Sequence, residues 1–90
     1  MRIDKWLKIS RIIKRRGLAK DLCLDGDIFL NGKAAKPSSE IKTGDKLEIH
    51  LGRHLIVALV KDVRPFAKKE DADSLYEIIA EESGKEESHA

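Results

Sequence analysis

The sequence predicts an α+β fold in which two N-terminal helices pack on a small, curled antiparallel sheet, with a further helix at the C-terminal side. Three observations carry this prediction. Apolar residues recur at helical spacing as far as Cys23, the period falls to 2 after Gly26, and helical spacing returns beyond Lys69. Ninety residues suit one domain, which buries only about 60% of the surface its unfolded chain exposes. The core is therefore small.

On a helical wheel, Ile3, Trp6, Leu7, Ile9, Ser10 and Ile13 fall in one arc, with Lys5 and Lys8 opposite. Ile12 lands among the cations, so the first helix is expected to end near Arg11 or Ile12. A tight turn then leads to a second helix starting near Lys14 or Arg15. Leu18 with Leu22 and Ala19 with Cys23 give its apolar side, and Asp25-Gly26 its stop. This second helix starts badly for itself. It has no Ser, Thr, Asp or Asn at the cap and sets Lys14, Arg15 and Arg16 at the positive end of the helix dipole. The same start suits an anion, because free N–H groups and side chains carry one sign. The competing reading is a solvated basic turn. Gly17 either weakens the helix by about 1 kcal/mol relative to Ala or admits a close approach by a backbone or ligand.

Past Gly26, Ile28 and Leu30 alternate with Asp27, Phe29 and Asn31, and Asn31-Gly32 signals a two-residue hairpin into Lys33-Ala34-Ala35. Pro37-Ser38-Ser39 makes a loop and Lys42 to Asp45 a turn. Leu47, Ile49 and Leu51 mark a half-buried strand, and Leu55 to Val63 a further one ended by Pro65. Ala72, Leu75, Tyr76 and Ile79 recur as on a helix from about Lys69 to Ala80. Residues 83–90 read as an acidic, disordered tail.

Net charge is +2, yet residues 1–69 carry an excess of nine positive charges and residues 70–90 an excess of seven negative ones. Eight cations in the first twenty residues face only Asp4, which favours a polyanionic partner. The longest apolar run, Leu55 to Val60, is far below the roughly 18 residues of a membrane span, and Met1 to Ser10 has no signal-peptide pattern. A soluble cytosolic protein is expected. Cys23 has no partner for an internal disulfide and sits on the apolar side of its helix.

Arg2-Ile3-Asp4-Lys5-Trp6-Leu7, then Arg16, Ala19, Gly26, Ile28, Leu30-Asn31-Gly32 and Ile41-Lys42-Thr43-Gly44-Asp45, resemble the S4 RNA-binding domain. That domain is shared by pseudouridine synthases and tyrosyl-tRNA synthetases. Residues 1–51 carry the likeness as an S4 (alpha-L) core, and 52–82 are expected to complete the same domain. The start Met-Arg-Ile-Asp-Lys-Trp-Leu-Lys, the Ile-Lys-Arg-Arg junction and Lys68-Lys69-Glu70 before Tyr76 are closer still to the small stand-alone S4 proteins of bacterial ribosome quality control.

The resemblance implies a non-enzymatic protein bound to the large (50S) ribosomal subunit obstructed by peptidyl-tRNA, contacting 23S rRNA helix 69 and the tRNA. It also implies cooperation with a NEMF-family factor that adds alanine tails, and Arg2 and Arg16 match the family's principal RNA-contacting arginines. Two departures stand out. Many S4 domains cap the second helix with Ser or Thr where this chain has Lys14-Arg15. The long basic C-terminal extension of the related heat-shock S4 protein is also lacking, which leaves that protein's rescue role, or a generic S4 rRNA- or tRNA-binding role, as the alternative.

The candidate RNA-binding residues are thus Arg2 and Arg16, with Lys5, Lys8, Arg11, Lys14, Arg15, Lys20, Lys33 and Lys36 nominated by charge alone. For Arg16 the competing reading is an ion pair with Asp4 or Asp21. For the lysines it is ordinary solvation, and about half of these basic residues are expected to touch RNA backbone. Asn31-Gly32 is explained by its turn. Trp6 could stack on a base, but its place in the apolar arc favours the core. His50 and His54 have metal-like spacing but lack further ligands, so no metal or other cofactor is expected. No nucleophile or acid–base set points to an enzyme. A monomer binding RNA, with neither membrane nor DNA as partner, is the expectation; a duplex-DNA binder and a protein-only adaptor are the other classes.

Overall fold

The computed structural model describes residues 1–83. Helix α1, Ile3–Ile9, is followed by α2, Arg16–Leu24. Both are bounded more tightly than the periodicity predicts, α1 ending two residues short of Arg11 and α2 starting at Arg16. The cause is the junction. Arg11 takes the left-handed conformation (φ 64°), and its N–H donates to the Lys8 carbonyl at 3.0 Å while that of Ile13 reaches the Leu7 carbonyl at 3.2 Å. These bonds close the end of α1 in the manner of a glycine cap, at a cost of about 1–2 kcal/mol for a residue with a Cβ.

Strands β1 (Ile28–Leu30), β2 (Lys33–Ala34), β3 (Lys46–Leu51), β4 (His54–Val60) and β5 (Tyr76–Ser83) form one antiparallel sheet in the order β2-β1-β3-β4-β5. Asn31 and Gly32 both have positive φ, the type I′ geometry their sequence predicts. Asn31 adds a side-chain role. Its amide donates to Asp45 Oδ1 at 3.0 Å and accepts from the Lys46 N–H at 2.9 Å, tying the hairpin to the turn that starts β3.

The C-terminal side departs from expectation. The third helix is a 3₁₀ helix, Lys69–Leu75, and Tyr76–Ser83 is a strand rather than the continuation of a helix to Ala80. Ala72 and Leu75 are buried as predicted, but Ile79 is exposed. In the pairing with β4, Val57 faces Ala80 and Ala58 faces Ile78, so Ile79 is the extra residue of a bulge. That bulge disguises the strand's alternation as helical spacing. β4 likewise stops at Val60, because the N–H groups of Lys61 and Asp62 both turn to the Leu75 carbonyl. The expected acidic tail, residues 83–90, lies outside the described residues except for Ser83, which ends β5.

The core lies between the helices and the sheet. Ile3, Trp6 and Leu7 of α1 pack with Ile28, Leu47 and Leu75, all fully buried. Trp6 is therefore a core residue, and its indole N–H donates to the Asp62 carbonyl at 2.9 Å. Leu18 departs from the predicted apolar side and is exposed, while Ala19, Leu22 and Cys23 are buried. His50 pairs with Leu55 and His54 with Leu51, so the two imidazoles lie on opposite faces of the ribbon.

Candidate nucleic-acid interface

The start of α1 is pinned by backbone. The Ile3 and Asp4 N–H groups donate to the carbonyls of Ser39 and Pro37 at 2.8 and 3.3 Å, and Ile41 donates to the Met1 carbonyl at 3.0 Å. Two N–H groups of the first turn of α1 are thereby satisfied by backbone, and the Asp4 side chain is left free for other partners. It has two. Arg2 makes a two-point contact, Nε to Oδ1 at 3.2 Å and Nη2 to Oδ2 at 3.1 Å, and Arg16 Nη2 reaches Oδ1 at 3.5 Å. The carboxylate is 3% exposed, whereas the arginine side chains are 48% and 46% exposed.

The ion pair posed as the competitor of an RNA role for Arg16 therefore exists, and it does not remove the arginine from solvent. One buried negative charge holds two guanidiniums, one from the cap of α1 and one from the first residue of α2, leaving an excess of one positive charge and most of their N–H donors facing outward. Burial first, and the Asp4 charge second, push the Cys23 thiol up to about 11, so Cys23 is a neutral core residue at ordinary pH.

The start of α2 adds to this site. Arg15 is its cap residue and makes no side-chain capping bond. Among the described residues, no protein acceptor meets the N–H groups of Arg16, Gly17 or Leu18. Gly17 has no positive φ, and a Cβ built on it meets nothing within 4 Å. The fold therefore gives no internal reason for a glycine, and the open space leaves the backbone there approachable.

The remaining candidates divide. Lys8, Arg11 and Lys14 line one open groove together with Ile9, Phe66, Ala67 and Lys69. Lys5 is half-buried, and Arg15, Lys20, Lys33 and Lys36 are exposed. The side chains of these five make no ion pair or hydrogen bond among the described residues and do not line the groove, so the structure gathers them into neither cluster. Phe66 and Lys69 were not among the sequence-derived candidates. Their only trace in the sequence is an aromatic set beside Arg64, Lys68 and Lys69, outside any periodic element.

A model of the S4 domain matches residues 1–47. Over 82 residues the chain is 46% identical to the RQC P-site tRNA stabilizing factor of Bacillus subtilis (strain 168), covering 91% of this chain and 95% of that protein. It is 34% identical over 93 residues to heat shock protein 15 of Escherichia coli (strain K12), covering all of this chain and 68% of that one. Among solved structures, the trimeric structure of Vibrio cholerae heat shock protein 15 superposes with a TM-score of 0.82 at 28% identity, covering 89% of this chain and 82% of that one.

Proposed function

The chain belongs to the S4 domain family, in the group of the RQC P-site tRNA stabilizing factors, and from that premise we propose that it is a non-enzymatic RNA-binding adaptor of bacterial ribosome quality control. It binds the large (50S) subunit obstructed by peptidyl-tRNA, contacts 23S rRNA helix 69 and the tRNA, and supports alanine tailing by a NEMF-family factor. It works in the cytoplasm as a monomer. No helix among the described residues is long and apolar enough to cross a membrane.

The observation that carries this reading is the Arg2–Asp4–Arg16 arrangement beside the uncapped start of α2. Guanidiniums held on a buried carboxylate are preorganised, so less side-chain freedom is lost when a phosphate arrives. The α2 N–H groups and dipole offer the same phosphate further donors. Such contacts position a protein on RNA backbone, and specificity then comes from touching two RNAs at once.

Heat-shock-type rescue of stalled subunits is the second reading, favoured by the superposition on the Vibrio protein. Identity weighs against it, since the chain is 46% identical to the B. subtilis factor but 34% identical to E. coli heat shock protein 15. Ultraviolet cross-linking of the tagged protein in cells, followed by sequencing of the bound RNA, tests the proposal. Enrichment of helix 69 and tRNA is expected; enrichment of small-subunit rRNA or mRNA overturns it. Alanine tails that persist on a stalled reporter without the protein would favour the rescue reading.

A further inference from the structure

The groove between the end of α1 and the segment leading to the 3₁₀ helix belongs to neither the arginine cluster nor the start of α2. Its volume is about 620 Å³, within the range of about 300–1,000 Å³ typical of small-molecule sites. Ile9 and Ala67 lie against the core and give it an apolar floor. Lys8, Arg11, Lys14 and Lys69 line it as well, and among the described residues none of these four pairs with a carboxylate. Four cations gathered without a counter-charge repel one another, so an anion in the groove relieves a cost the fold otherwise bears.

Phe66 is the feature that selects the ligand. At 75% exposed, it is the most exposed large apolar side chain among the described residues. Its neighbours Val63 and Ala67 pack against the core, so the segment turns its smaller residues inward and its aromatic outward. The segment is held at defined points. The Trp6 indole anchors the Asp62 carbonyl, Arg64 pairs with Asp62 at 2.6 Å, and Pro65 fixes the backbone just before the ring. Arg11 contributes a second anomaly. It sits in the left-handed conformation that Gly or Asn usually fills, and its side chain makes no hydrogen bond among the described residues. That conformation closes α1 and leaves the Arg11 cation unpaired at the mouth of the groove.

From these observations we infer that the groove receives an unpaired RNA nucleotide, its base stacked on Phe66 and its phosphates among Lys8, Arg11, Lys14 and Lys69. A duplex keeps its bases stacked internally and has little use for an exposed ring, whereas an extruded base presents a flat face to an aromatic and flanking phosphates to cations. Lys14 lines the groove, and two residues later Arg16 belongs to the carboxylate-held pair, so one RNA strand can run from one site to the other. The inference rests on the RNA-binding reading and adds to it a site that prefers single-stranded RNA.

The test uses two labelled RNA hairpins that differ only in one unpaired purine bulged from the stem, with fluorescence anisotropy as readout. The wild-type protein is expected to bind the bulged hairpin about tenfold more tightly, a factor of the size that stacking one base on an aromatic side chain supplies. Phe66→Ala and Phe66→Leu should abolish that preference and Phe66→Trp keep it, with the salt dependence unchanged because the ring releases no counterion. Arg16→Ala should weaken both hairpins alike. If Phe66→Ala retains the preference, or Phe66→Leu matches the wild type, stacking is overturned and RNA binding stands. Failure of the wild type to bind either hairpin overturns both.

Discussion

The charges of the N-terminal helices and those of the β4–β5 edge are held in different ways. Arg2 and Arg16 converge on an Asp4 carboxylate that is 3% exposed. At the edge, Lys61 and Glu77 pair at 3.6 Å with side chains 51% and 61% exposed. An exposed pair of that kind contributes about 0–1 kcal/mol and leaves both partners free to wander. A buried anchor differs in kind, because it fixes the direction of the guanidiniums while leaving their outer donors to a ligand. Glu77, Glu81 and Glu82 on β5 have another use: with the Ile79 bulge they discourage another strand from adding to the sheet edge.

Trp6→Ala should have the largest effect, a loss of about 3–5 kcal/mol, because it removes a fully buried indole and leaves the Asp62 carbonyl unpaired. Chemical denaturation would register it as a collapsed midpoint, and a shift under 1 kcal/mol would contradict the packing described. Asp4→Asn should cost about 1–2 kcal/mol and weaken RNA binding, although it removes a negative charge and so raises the net positive charge. If affinity rises instead, charge rather than orientation governs the site. An equivalent neutralisation at the edge, Glu77→Gln, should leave both stability and RNA affinity nearly unchanged.

Gly17→Ala is the smallest and sharpest change. With open space at the Cβ position and no positive φ, it should stabilise α2 by about 0.5–1 kcal/mol. Its RNA affinity should nonetheless fall, because the methyl group stands where a phosphate approaches. Thermal unfolding and RNA titration of the same sample would show the two effects with opposite signs. A stabilised protein with undiminished affinity would remove Gly17 from the site.

The parts of this molecule that were legible from sequence are those where one local rule dominates. The burial of Ile3, Trp6 and Leu7, the Asn31-Gly32 turn and the alternation of β3 each follow from spacing or turn chemistry. The start of α2 was visible because it breaks capping rules. The convergence of Arg2 and Arg16 on Asp4 brings the start of α2 to a carboxylate twelve residues earlier in α1, a tertiary fact that spacing does not contain. β5 was misread because its bulge shifts Ile79 out of alternation. Phe66 was missed because a single aromatic in an aperiodic segment gains meaning only when the fold sets it beside Lys8, Arg11 and Lys14.

If guanidiniums held on Asp4 carry the attachment to RNA, their removal should release the protein from the ribosome. Co-sedimentation of the protein with large subunits bearing peptidyl-tRNA tests it most directly, comparing the wild type with the Arg2→Ala/Arg16→Ala double variant at equal concentration and salt. Both arginine side chains are about half exposed, but removing them leaves the buried Asp4 carboxylate uncompensated, at a cost of about 3–5 kcal/mol; under conditions in which circular dichroism shows the variant folded, it should be largely lost from the subunit fraction. A folded double variant that sediments with the subunits as the wild type does would contradict the account.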